Sequence, residues 1–262
     1  MERAHTSAAV PLRPLTVGEL LDSSVALLRT AAVPLLVLGA GLALAEQVLL
    51  APLTYLGSSE DSMLPRYLLL ACGLGTETMI LALLASPAAR AAGAAARHHR
   101  LTPRQLLAAP GNRWGGTALL ALVLGGIAGA AAVACLVPWL PVYGFLGLIV
   151  PALVLEHRSP AAALTRGFQL ASGRVFGIRL LGYGIWLLLR IALGLAGGYG
   201  LELLGFDSPV LAVLPWVVAN AVAYPALACL DASLYLEARV RREGMDLALL
   251  LARLDAPRTV RA

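Results

Sequence analysis

TALLALVLGGIAGAAAVACLVPWLPVYGFLGLIVPALVL, from Thr117 to Leu155, runs for 39 residues without one charged side chain. About 20 apolar residues are enough for a helix to cross the hydrocarbon core of a bilayer. The stretch is therefore long enough for two crossings. Pro138 and Pro141 in VPWLP are expected to divide it, because proline removes a helical hydrogen bond and clashes with the turn before it. The expected spans run from Thr117 to Val137 and, shorter, from Val142 to Leu155, joined by a tight WLP turn.

Working outward, four more segments read as spans: about Ala32 to Leu53, Tyr67 to Ala89, Val175 to Leu195 and Val210 to Leu236. The whole chain agrees. Hydrophobic residues make up 59% and charged residues 13% of its 262 positions, against roughly 45–50% and about 25% in an ordinary soluble domain. So much apolar surface has no interior to occupy in a soluble protein of this length. The expected fold class is all-α, an integral membrane bundle of six transmembrane helices in a single domain.

All 20 basic residues are arginine, a usage that fits the coding bias of a GC-rich bacterial genome. The net charge of +5 is distributed by loop. Arg3, Arg13 and Arg29 precede the first span. Arg90, Arg97, Arg100, Arg104 and Arg113 lie between the second and third. Arg158, Arg166 and Arg174 lie between the fourth and fifth, and Arg239, Arg241, Arg242, Arg253, Arg258 and Arg261 follow the sixth. The alternate loops carry Glu60, Asp61 and Arg66, and Glu202 and Asp207. By the positive-inside rule both termini are cytoplasmic, which in a bacterium means the plasma membrane. The basic balance is thereby topology, with some attraction to anionic lipid heads, and no nucleic-acid partner is implied. Tyr55, Tyr67, Trp139, Tyr143 and Tyr199 are expected near the outer boundary as an aromatic belt. The N-terminal segment 1–15 lacks the apolar core and cleavage site of a secretory signal and reads as flexible. Residues 237–262 read as a cytoplasmic tail in which REGMDLALLLARL could form a last amphipathic helix.

Short amphipathic segments precede three of the spans. TVGELLDSSVALLRTAAVPLL from Thr16 aligns with SPAAALTRGFQLASGRVFGIRLL from Ser159, placing Leu21, Val25 and Leu28 opposite Leu164, Phe168 and Ala171. Their i, i+4, i+7 spacing makes one apolar stripe on a helix. Thr16 with Glu19 is a capping box, and Pro160 suits a first helical turn. TPRQLLAAPGNRWGG from Thr102 reads as a weaker third copy, carrying Leu107 and Trp114 but broken by Pro110 and Gly111. The expectation is three interfacial helices, 16–30, 102–113 and 159–173, each leading into a helical pair, with a threefold internal repeat.

PALVLEHRSPAAALTRGFQLASGRVFGIRLLG, followed by LYLEARVRREGMDLALLLARL, and RPLTVGELLDSSVALLR near the start, resemble the bacterial glycerophosphoryl diester phosphodiesterase membrane domain family. The resemblance covers most of the chain and is weakest around Gly57 to Ser62 and in the third and fifth spans. It implies a multi-pass membrane unit of the kind that sits beside a soluble phosphodiesterase domain in some relatives. The six spans leave no room here for such a catalytic domain, so the resemblance implies no phosphodiesterase activity.

Ionisable groups inside spans are costly and mark sites or pairs. The candidates are Glu46, Glu77, Arg179, Arg190, Asn220 and Asp231. At about 1.5 Å per residue, Glu46 and Arg190 both sit roughly 21–23 Å from the inner ends of their spans, which would let them pair. Arg179 and Asp231 fall together near the cytoplasmic end, and Glu77 and Asn220 near mid-depth. Glu77, in GTETMI, has no cation at its own depth and so stands out as the functional residue. Such groups serve either as pairs that fix helix register or as a polar path for an ion or small solute.

Other features carry less. His98 and His99 point apart on a helix and read as a solvated loop; no metal or cofactor is implied. Ser23 and Ser24 lack a histidine partner and a nucleophile elbow, and Gly73-Leu74-Gly75 lacks the strand-to-helix context of a phosphate loop. Cys72, Cys135 and Cys229 read as small buried hydrophobes. Gly125 with Gly129, and Gly194 with Gly198, have the spacing that lets membrane helices approach closely, within the chain or across a dimer. The first functional expectation is a non-catalytic anchor, scaffold or accessory module, with membrane lipids and another membrane or cytoplasmic protein as partners. The alternative is a transporter or permeation protein for a small solute or lipid, although no span shows matching Gly-Pro interruptions at mid-depth.

Overall fold

The computed structural model describes residues 13–59, 63–99, 101–108, 114–206, 208 and 211–244. Ten α-helices follow one another among these residues, with no strand: α1 Val17–Thr30, α2 Ala32–Ser59, α3 Met63–Ala96, α4 Pro103–Leu107, α5 Trp114–Ala134, α6 Leu136–Leu146, α7 Ile149–Leu155, α8 Pro160–Leu170, α9 Arg174–Leu203 and α10 Leu214–Glu243. Six helical stretches are long and apolar enough to cross a membrane: Ala32–Gly57, Met63–Ala96, Gly115–Ala134, Leu136–Leu155, Arg174–Leu203 and Leu211–Glu243. The segment before Arg13, the Glu60–Asp61 loop, residues 109–113 with Pro110 and Gly111, and the tail beyond Gly244 lie outside the described residues.

α3 and α10 form the middle of the bundle. α3 packs on α2, α5, α7 and α10, and α10 packs on α1, α2, α3 and α9. α3 is 34 residues long, about 51 Å at the helical rise, so it exceeds a bilayer core of about 30 Å. Its last part, from Ile80 to Ala96, is buried nearly all round. The run of alanines there makes that possible, since small side chains let neighbouring helices approach closely. The tightest crossing joins α3 to α5. A Cβ added at Gly75 would lie 2.9 Å from the Cα of Gly129 and 3.1 Å from the Gly125 carbonyl oxygen. The Gly125–Gly129 pair therefore serves packing within the chain. Gly194 likewise lies under the Trp216 ring, whereas Gly198 faces open space.

Two expectations about the third and fourth spans are corrected. The chain breaks at Cys135, whose backbone is extended, and VPWLP forms the first turns of the next helix instead of a turn between helices. Pro138 is the third residue of α6, where its missing N–H would have had no helical partner anyway. The fourth span accordingly begins at Leu136 rather than Val142, but it is interrupted. α6 ends at Leu146 and α7 starts at Ile149, with Gly147 and Leu148 in a tightened right-handed turn between them.

The amphipathic segments form helices with side-chain caps. Thr16 accepts from the Glu19 N–H and Glu19 returns a bond to the Thr16 N–H at 2.8 Å. The Arg13 guanidinium, at 2.5 Å from the Glu19 carboxylate, and the two Thr16 bonds hold that carboxyl down at about 2. Thr102 and Gln105 form the same reciprocal cap on α4, and Ser159 accepts from the Ala162 N–H on α8. Their packing faces differ from the stripe read in the sequence. α1 buries Leu20, Ser23, Ser24 and Leu27, and α8 buries Ala163, Gly167 and Leu170. Val25 and Phe168, from the expected stripe, are exposed. On α8 the packed side includes Ala163 and Gly167, because a side chain at position 167 would strike Ile149 of α7. Leu20, Leu27 and Leu170 are buried with them; of the expected stripe, Leu21, Leu28 and Leu164 are half-buried and Ala171 is buried.

The aromatic belt is corrected as well. Tyr55 and Tyr199 are exposed, but Trp139 and Tyr143 are buried and stack together with ring centroids 5.0 Å apart. Tyr67 is half-buried and donates to the Ala132 carbonyl at 2.9 Å, tying α3 to the end of α5. Of the cysteines only Cys229 is buried; Cys72 is half-buried and Cys135 exposed.

Candidate functional site

The six polar residues singled out in the spans are all buried, and they divide into two clusters at different depths. The upper cluster is built by four helices. α2 supplies Glu46, α3 supplies Thr76 and Glu77, α9 supplies Tyr183 and Arg190, and α10 supplies Asn220 and Tyr224. Arg190 pairs with Glu77: Nη1 lies 3.0 Å from Oε1 without hydrogen-bond alignment, and Nη2 donates to Oε2 at 3.1 Å. Tyr183 adds a longer bond to the same Oε2 at 3.4 Å.

Glu46 is bonded instead by uncharged groups. Thr76 Oγ1 lies 2.8 Å from its Oε1, and Tyr224 OH and Asn220 Nδ2 lie 2.5 and 3.4 Å from its Oε2. Pairing of Glu46 with Arg190, expected from their depths, is therefore replaced by Arg190 with Glu77, and Glu77 does have a cationic partner. Depth counted along separate helices ignores which faces meet. Glu77 faces α9, whereas Glu46, on α2, meets α10 and the Thr76 side of α3.

The lower cluster joins α9 to α10. Arg179 and Asp231 form the expected pair, and it is bidentate: Nε donates to Oδ1 at 2.6 Å and Nη2 to Oδ2 at 3.0 Å. This fork-on-carboxylate geometry is the strong form of such a contact. The guanidinium carbon stands 3.8 Å from the centroid of the Tyr143 ring, a cation–π contact that replaces part of the lost hydration. The guanidinium also lies against the interruption of the fourth span. A Cβ at Gly147 would sit 2.0 Å from Arg179 Nε. Between this pair and Thr78, Leu124 and Leu146 is a cavity of about 10 Å³, about the space of one water.

The two clusters are linked by aromatic rings. Trp139, Tyr143 and Tyr183 pack with centroids 4.6 to 5.1 Å apart. Several buried polar atoms here have no protein partner: Trp139 Nε1, Tyr143 OH, Arg179 Nη1, Asn220 Oδ1 and Ser233 Oγ. The tyrosines and Thr76 escaped the reading of the sequence because hydroxyls pass as ordinary residues in apolar helices. A signal did exist, since Asn220 and Tyr224, Arg179 and Tyr183, and Asp231 and Tyr235 are each spaced i, i+4, on one helix face.

A third cluster lies at the end of the bundle where α8 begins and α10 finishes. Glu156 contacts Arg158 at 2.5 Å, Arg166 at 3.0 Å and Arg239 at 3.6 Å, and accepts from Tyr235. Burial pushes the Glu156 carboxyl up, but the bonds from Tyr235, Arg158 and Arg166 outweigh it and hold the group below the ordinary carboxylate value. Burial lowers Arg166, and its bonds to Glu156 and Glu243 more than reverse that. Glu237 is shared by Arg174 at 2.6 Å and Arg241 at 2.8 Å. Both arginines also donate to the Leu15 carbonyl, at 2.7 and 3.2 Å, so the entry to α1 is tied to α9 and α10. Arg242 donates to the carbonyls of Gln169, in the last turn of α8, and of Ser172, just beyond it. Five arginines thus contact three glutamates at this end, and a sixth, Arg242, holds backbone carbonyls.

Among the described residues no group of three or more His, Cys, Asp and Glu side chains is placed to hold a metal. His98 and His99 are exposed at the end of α3, His98 in a left-handed conformation. Set beside family models, curated proteins and solved structures, the chain matches none of them.

Proposed function

We propose that the chain is a non-catalytic membrane module, an anchor, scaffold or accessory subunit, that engages its surroundings through its arginine-rich end. The observation that carries this reading is the surplus of guanidinium over carboxylate there. Glu156, Glu237 and Glu243 are fully engaged inside the cluster, while Arg158, Arg174 and Arg241 keep 37–43% of their side chains exposed. Their outward surface fits anionic lipid head groups or an acidic segment of another protein. With that end cytoplasmic, as the positive-inside rule favours, the surface faces the inner leaflet of a bacterial plasma membrane. The resemblance to the glycerophosphoryl diester phosphodiesterase membrane domain supports the same reading, because LEHRSPAAALTRGFQ and LYLEARVRRE, which carry it, supply most of this cluster. Purification in a gentle detergent, with mass spectrometry of what accompanies the protein, tests the proposal. A stoichiometric protein partner, lost when Arg158 and Arg241 are changed to Gln, is the expected result. A monodisperse lone protein that moves solute in liposomes overturns it.

A second reading, a permeation protein for a small solute, is favoured by the interrupted fourth span beside Arg179, since broken helices line the binding sites of many transporters. The space at that interruption is water-sized in this conformation, so solute passage would require the helices to part. Flux assays in liposomes separate the two readings directly.

A further inference from the structure

The upper cluster has an odd number of charges. Glu77 and Arg190 cancel each other, and Glu46 is left over among Thr76, Asn220 and Tyr224, none of which is cationic. Glu46 is 5% exposed and lies mid-way along α2, where an uncompensated carboxylate is expensive. Something must neutralise it.

Counting hydrogens identifies what. Thr76 Oγ1 lies 2.8 Å from Glu46 Oε1 and 3.0 Å from the Gly73 carbonyl oxygen. A hydroxyl has one hydrogen to give, and a backbone carbonyl can only accept. If Thr76 donates to Gly73, the usual back-bond of a helical threonine, the short contact to Oε1 has no hydrogen unless Glu46 supplies it. On the other carboxyl oxygen the contacts are from donors, Tyr224 OH and Asn220 Nδ2. We infer that Glu46 is a proton-binding site of the bundle: Oε1 carries a proton and donates it to Thr76, which donates to Gly73, while Oε2 accepts from Tyr224 and Asn220. The assignment stands on the Thr76 bridge and on the charge count together. A sodium ion would satisfy the charge but not the missing hydrogen. Among the described residues, the polar and charged groups that act on Glu46 are Thr76 and Glu77 on α3, Arg190 on α9, and Asn220 and Tyr224 on α10. The site goes beyond the module reading and does not depend on it.

The test uses the full chain in detergent. Infrared difference spectra between acidic and alkaline buffer should show the carbonyl band of a protonated carboxylic acid. That band should vanish in Glu46→Gln and persist in Glu156→Gln. The melting temperature of the parent should fall as pH rises and removes the proton, because the stabilising form is the protonated one; Glu46→Gln, an isostere of that form, should lose this slope. Thr76→Val keeps the carboxyl but removes its acceptor and should move the band to higher frequency, which reads the site even if Glu46→Gln fails to fold. A band unmoved by Thr76→Val, a band retained in Glu46→Gln, or a melting temperature that follows sodium at fixed pH instead of pH, each overturns the assignment.

Discussion

Gly147→Ala isolates the lower ion pair from everything else in the fold. Gly147 has φ −67° and ψ −27°, a conformation any residue adopts, so alanine introduces no backbone strain. Its methyl group, however, would lie 2.0 Å from Arg179 Nε and 2.3 Å from Cζ. Carbon and nitrogen need roughly 3.5 Å, so the guanidinium must retreat by about 1.5 Å. The 2.6 Å bond to Asp231 then stretches past hydrogen-bonding range. Hydrogen bonds to charged groups contribute about 1.5–3 kcal/mol each, and breaking a buried pair costs about 3–5 kcal/mol. Replacing glycine by alanine in a helical turn returns about 0.5–1 kcal/mol. The expected net loss is about 3 kcal/mol. Unfolding in mixed micelles by SDS titration, followed by tryptophan fluorescence, measures it. The control is the same change in an Arg179→Met, Asp231→Leu background, where no guanidinium stands in the way and the loss should shrink below about 1 kcal/mol. An equal loss in both backgrounds, or none in the parent, refutes the argument that Gly147 exists to seat Arg179.

Gly75→Ala should destabilise by about 1–3 kcal/mol, the range for overpacking, because its methyl group meets the backbone of α5. Gly126→Ala, with nothing within 4 Å, should be neutral or slightly stabilising in the same unfolding assay. Arg190→Met leaves Glu77 without its cation and should cost about 3–5 kcal/mol, read as a lowered yield of folded protein and a lower melting point; Arg190→Met with Glu77→Leu should recover most of it. Glu156, held below its ordinary value by Tyr235, Arg158 and Arg166, stabilises the fold above the unfolded carboxylate pKa of about 4.3. That contribution should disappear as pH falls through the lowered folded value, and a melting-versus-pH series should show a smaller acid loss in Glu156→Gln.

Apolar length made the six spans legible, because crossing a bilayer is a demand on composition that no tertiary contact overrides. The Arg179–Asp231 pair was legible for a similar reason: both residues lie close to span ends that share one side. What stayed hidden depended on rotation. Residue depth placed Glu46 beside Arg190, but which helix faces meet is set by side-chain size along α2, α3 and α10, and no count along one helix contains it. The same holds for α1 and α8. The expected stripe was drawn one position off: Leu20, Ser23, Ser24 and Leu27 make the packed face of α1, and Ala163, Gly167 and Leu170 that of α8. The interruption at Gly147 was invisible because glycine is common in this chain. Only the position of Arg179 gives that one its meaning.

The pairing of α9 with α10 has a consequence for biogenesis. α9 carries Arg179 and Arg190, and α10 carries Asn220 and Asp231. Entering the bilayer alone, an Arg at the centre of a helix costs about 2.5–3.5 kcal/mol, so α9, with Arg190 deep in its span, is a poor substrate for insertion on its own, while Arg179 and Asp231 lie nearer the span ends. As a hairpin the two helices neutralise Arg179 with Asp231 before reaching lipid. Arg190 still needs Glu77 from α3, a helix synthesised about a hundred residues earlier. The early helices must therefore be waiting beside the insertion machinery when the last two emerge, and the order of synthesis matches that requirement.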